Sequence, residues 1–83
     1  MLALNAKVVL KTFNGITASP EECRHGENYW LLIGNTGRVA EQKTQNGRVL
    51  VVFDESISEK GLHCHNPVPN GLYILESDLK AAL

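Results

Sequence analysis

The sequence is short of most features that announce an activity. It holds 2 cysteines, 1 tryptophan, 2 tyrosines, 2 phenylalanines and 1 methionine in 83 residues. Two cysteines cannot build the disulfide framework of a small secreted scaffold, and they do not form a Cys-x-x-Cys half-site. Excess charge is missing as well. The 8 Lys and Arg stand against 9 Asp and Glu, for a net charge of −1. A domain that grips nucleic acid through a basic face needs a surplus, so only a local patch is left for that role. No apolar run approaches the roughly 20 residues of a membrane-crossing helix. Repeats, linkers and low-complexity tracts are lacking too.

What is present is the composition of a globule. Hydrophobic residues make up 43% and charged residues 20%, which separates the chain from disordered sequences. The expectation is one domain over residues 1–83, because two halves would each be too small to support a core. A domain of this size buries only about 60–65% of the surface its unfolded chain exposes, so its core is small. A Cys23–Cys64 disulfide would help by about 3–4 kcal/mol in the chain-entropy model. The start of the chain argues against it. Residues 1–10 are apolar but have no basic stretch before them, Lys7 interrupts them, and no cleavage site follows. The expectation is a cytoplasmic protein with both thiols reduced.

Short strands account for most of the chain. Residues 6–13 (AKVVLKTF) read as a first strand closed by Asn14-Gly15. Ser19 can cap a short helical turn with Pro20 in its first position, or the segment is an irregular loop. Residues 29–33 (YWLLI) suit a buried strand or the floor of a pocket. Gly34 and Gly37 flank Asn35-Thr36 as a tight turn with positive φ. Residues 38–45 and 48–54 flank Asn46-Gly47, the strongest short hairpin signal. A two-residue turn pairs Gln45 with Arg48, Thr44 with Val49, Gln42 with Val51 and Ala40 with Phe53. Val49, Val51 and Phe53 then face the core, while Leu50 and Val52 face a second side that a loop can cover.

Residues 54–61 predict one turn of 3-10 helix ending at Gly61. Residues 62–65 read as a short strand, residues 66–71 (NPVPNG) as a loop and residues 72–74 as a final strand. A capped turn over residues 76–79 and a tail over residues 80–83 complete the chain. Four or five short strands with hardly any helix predict an all-β fold. They can close into a small, partly open barrel, which also removes exposed edges.

The order of these signals resembles a known family. Tyr29-Trp30, then Gly34-Asn35-Thr36-Gly37-Arg38-Val39, then Val49-Leu50-Val51-Val52-Phe53-Asp54, then Asn70-Gly71-Leu72-Tyr73-Ile74-Leu75-Glu76-Ser77-Asp78-Leu79 follow one another. This is similar to the SH3-like barrels of the electron-transport accessory group. That group includes the photosystem I reaction-centre subunit IV, the ferredoxin–thioredoxin reductase variable chain and the C-terminal domain of the nitrile hydratase β-subunit. The likeness covers residues 6–79 and lies in core and turn positions. It implies a five-stranded SH3-like barrel that binds or assists another macromolecule without catalysis. The photosystem protein has a more basic surface than this balanced chain and lacks its Cys/His-containing loop, so no photosynthetic role is carried over.

Four chemistries are open to the residues. Cys23-x-His25 and His63-Cys64-His65 offer five ligands, and closed zinc sites need four. In a strand His63 and His65 share a face that Cys64 opposes, so only those histidines and the Cys23/His25 pair can converge. Reduced thiols and surface histidines are the plainer reading, with no metal and no cofactor. A Cys64 nucleophile would need a base, and its strand neighbours point away from it; only His25 remains. No catalytic set emerges, so the chain is expected not to be an enzyme. Nucleic-acid binding draws on the Gly34–Val39 stretch, similar to KOW-type barrels, with Arg38, Lys43 and Arg48 on one hairpin and Tyr29, Trp30 and Tyr73 for stacking. Three cations beside Glu41 are few for phosphate contacts, and a solvated hairpin face is expected instead. A protein partner asks least. Tyr29, Trp30, Phe53, Tyr73 and the proline loop over residues 66–70 can form an aromatic groove. The candidate partner-binding residues are Tyr29, Trp30, Arg38, Arg48 and Tyr73. The leading expectation is a non-catalytic accessory or regulatory module for an unknown protein partner. The alternatives are a nucleic-acid-binding barrel and a small metal-binding protein.

Overall fold

The computed structural model describes residues 3–42, 47–63 and 68–82, and only the backbone of His25. It is all-β. The strands are β1 (Lys7–Leu10), β2 (Thr36–Glu41), β3 (Arg48–Phe53), β4 (Gly71–Leu75) and β5 (Leu79–Ala81). They form one antiparallel sheet in the order β4-β3-β2-β1-β5. The two edge strands are neighbours in sequence, joined by a single 3-10 turn at Glu76–Asp78. The sheet therefore curls until its edges approach, giving the partly open barrel. Other 3-10 turns lie at His25–Glu27, Tyr29–Leu32 and Ser58–Lys60, the last ending on Gly61 at φ +78°. The turn expected in residues 54–61 is thus present.

Alternation along the strands builds the core. Val8 and Leu10 of β1, Val39 of β2, Val49, Val51 and Phe53 of β3, Leu72 and Ile74 of β4 and Leu79 of β5 point inward. Leu32, Ile57 and Leu62 plug the barrel from the loops. Leu50 faces outward but is still buried: its Cδ1 packs over Gly71.

The register of β2 on β3 differs from expectation. Phe53 pairs with Gly37 rather than Ala40, and Val51 with Val39 rather than Gln42, with an irregularity between Val39 and Glu41. The shift is three residues, an odd number, so it exchanges the two faces of β2. The expected register would turn Gln42 into the core. The observed one buries Val39 completely and lets hydrophobic burial, not turn chemistry, set the pairing. The expected pairs involving Thr44 and Gln45, and Asn46 of the expected turn, lie outside the described residues. Gly37 is not a turn residue either. It is buried within β2, where a Cβ would come within 2.6 Å of the Val52 carbonyl oxygen. Gly34 does supply the positive φ, at +94°.

Four further expectations change. Residues 29–32 form a 3-10 turn instead of a strand, and Tyr29 and Trp30 line a pocket, the other reading of this segment. β1 and β2 already pair with each other, so residues 11–35 are their connection. In that turn Leu32 is buried while Leu31 is 48% exposed. The capped helical turn at Ser19-Pro20 is absent, and its alternative, an irregular loop with one turn at residues 20–23, is observed. The tail is not a tail: Leu79–Ala81 pairs with β1, so the last strand is β5. Leu62 and His63 lie outside any strand, and the rest of that expected strand, Cys64 and His65, is outside the described residues.

One buried carboxylate ties the long connection to the barrel. Asp78 is fully buried and accepts bonds from Thr12 Oγ1 (2.6 Å), Asn14 N (2.9 Å) and Gly15 N (2.9 Å). Its own carbonyl accepts Lys11 N at 2.8 Å. Asn14 and Gly15 both have positive φ, at +51° and +82°, and the turn closes with two Phe13–Ile16 backbone bonds. The Asn14-Gly15 turn foreseen after the first strand is therefore real, and it fixes where Phe13 stands.

Candidate aromatic groove

Three of the five aromatic side chains gather on the β1–β2 connection. Phe13 leaves the clamped turn, and Tyr29 and Trp30 open the 3-10 turn at Tyr29–Leu32. The Phe13 ring centroid lies 4.8 Å from Trp30 in an edge-to-face arrangement and 5.6 Å from Tyr29 at a tilt of 48°. Both geometries suit the ring quadrupoles. Tyr29 Oη donates to the His63 carbonyl at 2.6 Å, and His63 N donates to the Gly26 carbonyl at 2.8 Å. A Cβ at Gly26 would come 2.7 Å from the His63 ring, an exposed side chain that would have to swing aside. The turn in residues 20–23, closed by Cys23 N on the Pro20 carbonyl at 3.0 Å, forms the opposite wall.

Between these walls lies a cavity of about 480 Å³, lined by Phe13, Pro20, Glu22, Cys23, Arg24, Glu27, Tyr29 and Trp30. The rings form its apolar side, and Glu22, Arg24 and Glu27 stand exposed at its rim. Among the described residues the sole ion pair is Lys60–Glu55, so the rim charges are not paired with one another. The Trp30 indole N–H is closed off from solvent and has no hydrogen-bond partner among the described residues. Buried donors are normally paired, and this one is an exception that needs a cause.

The five residues singled out from sequence fall into two places. Tyr29 and Trp30 share the groove. Arg38, Arg48 and Tyr73 lie on the outer face of the sheet. Arg48 donates to the Tyr73 carbonyl (3.2 Å) and to Asn14 Oδ1 (3.0 Å), so its guanidinium is already engaged. Tyr73 is 43% exposed and its hydroxyl reaches Glu41 Oε2 at 3.4 Å. Arg38 is exposed, opposite Lys7 on β1, and contacts the Asn5 carbonyl. Phe53 does not line this groove: it is core, 3% exposed. Pro69 and Asn70 line a separate hollow with Asp54, Ser56, Ile57 and Ser58. Asn70 latches that hollow, donating to the Phe53 and Glu55 carbonyls and accepting Ile57 N.

Sequence reading missed Phe13, Glu22, Arg24 and Glu27 as groove residues. The Asn14-Gly15 turn is the one signal that could have placed Phe13. The bond between Gly26 and His63 does bring the Cys23/His25 segment against His63. Among the described residues, however, no group of three His, Cys, Asp or Glu side chains converges. Cys64, His65, Lys43 and the His25 side chain, on which the metal, nucleophile and nucleic-acid readings drew, lie outside the described residues. Among the described residues no helix is long and apolar enough to cross a membrane. Comparison with family models, with curated proteins and with solved structures returned no match.

Proposed function

We propose that the chain is a non-catalytic SH3-like barrel, cytoplasmic in location, that acts as an accessory or regulatory factor by binding a partner protein. The observation that carries this reading is the aromatic groove on the β1–β2 connection, with three rings on one wall and a cavity of about 480 Å³. Aromatic anchors in a concave site are where binding energy concentrates at protein interfaces. The strand order, with its edges joined by a 3-10 turn, agrees with the SH3-like reading. Engagement of Arg48 and Tyr73 with other groups of the chain weighs against the nucleic-acid alternative.

The test is affinity capture from native cells with three baits: wild type, Phe13→Ala and Tyr73→Ala, each checked for folding by circular dichroism. A partner retained by wild type and Tyr73→Ala but lost by Phe13→Ala supports the groove. Loss with Tyr73→Ala alone moves the site to the sheet face and sinks the proposal.

A further inference from the structure

We infer that the groove takes an extended peptide segment carrying an apolar side chain next to a Lys or Arg, with one of its main-chain carbonyls accepting the Trp30 indole N–H. This rests on the groove being the partner site. Three observations select this occupant. The wall of Phe13, Tyr29 and Trp30 is apolar and calls for an apolar side chain. The Trp30 N–H is a buried donor with no partner among the described residues, and an occupant that displaces what covers it can supply the acceptor. Every peptide carries main-chain carbonyls, and a neutral carbonyl avoids the repulsion that a carboxylate or phosphate would meet. That repulsion comes from the rim. Glu22 and Glu27 outnumber Arg24 there, no other described cation pairs with them, and the surplus negative charge selects a cation.

The N–H is shut off from solvent in the free protein, so the groups that cover it must move as the occupant enters.

The chain has a single tryptophan, so its indole resonance reports on the site alone. The experiment titrates 15N-labelled protein with two libraries of blocked octapeptides, both with a fixed central Leu. One carries a fixed Arg beside it and the other a fixed Glu. The Arg library is expected to shift the Trp30 indole N–H and the Phe13 and Tyr29 signals, with about tenfold tighter apparent binding than the Glu library. The double variant Glu22→Gln/Glu27→Gln, altered only at exposed positions, is expected to remove that preference. Trp30→Phe keeps an aromatic ring but not the donor and is expected to weaken Arg-library binding about tenfold. Equal or tighter binding of the Glu library at the same signals would overturn this inference and leave the groove reading standing. No shift of groove signals with either library would overturn both.

Discussion

The barrel and its long connection handle polar groups in opposite ways. In the barrel, buried polarity is satisfied: Asp78 is fully buried and holds three donors. In the second half of the connection it is not. The buried side-chain atoms without partners among the described residues, Asn28 Oδ1, Trp30 Nε1 and Asn35 Nδ2, all fall within residues 28–35. Rings, rim charges and cavity belong to the same connection. A rigid sheet with satisfied interior bonds carries stability, and a loop held on it carries unused binding capacity.

Substitutions can break that division, beginning with the largest effect. Ile74→Ala removes a completely buried side chain from the centre of the core and is expected to cost about 3–4 kcal/mol in urea unfolding. Asp78→Ala strands three donors at once and is expected to cost about 3 kcal/mol. It should also loosen the Phe13 turn, seen as faster amide exchange at Asn14 and Gly15. Gly37→Ala presses a methyl group against backbone of β3 and is expected to cost about 2 kcal/mol. Tyr29→Phe loses the bond to the His63 carbonyl, for about 1 kcal/mol. Asn28→Ala stands at the other end of the scale. Asn28 precedes the 3-10 turn but makes no side-chain cap bond, so its removal is expected to change stability by less than about 0.5 kcal/mol. A loss above about 1 kcal/mol there, near the usual value of a true cap, would show that the connection is as tightly satisfied as the barrel.

The same division explains what could be read in the amino-acid order. Strand alternation in residues 48–53 and the apolar residues of β1 revealed the all-β class and most of the core, because period-two burial is a local pattern. The Asn14-Gly15 turn was legible from its chemistry. The β2–β3 register was not, since the Asn46-Gly47 signal is local while the burial of Val39 depends on the whole barrel. β5 was hidden because a three-residue strand at the end of a chain has too little alternation to detect, and its partner β1 lies at the other end of the sequence. Tyr29 and Trp30 were found as aromatic residues. Their groove was not, because it needs Phe13 and the residue 20–27 segment brought together by Asp78 and by the Gly26–His63 bond.

Cys23 gives the most direct measure of the central claim, since this residue lines the groove and is only partly buried. In a Cys64→Ser background it is the sole thiol, and its alkylation rate by iodoacetamide can be followed by mass spectrometry with and without a partner captured by the wild-type bait. Groove binding predicts that saturating partner slows labelling of Cys23 at least about tenfold, by covering the site. An unchanged rate with the partner bound would contradict the assignment of the groove as the binding site.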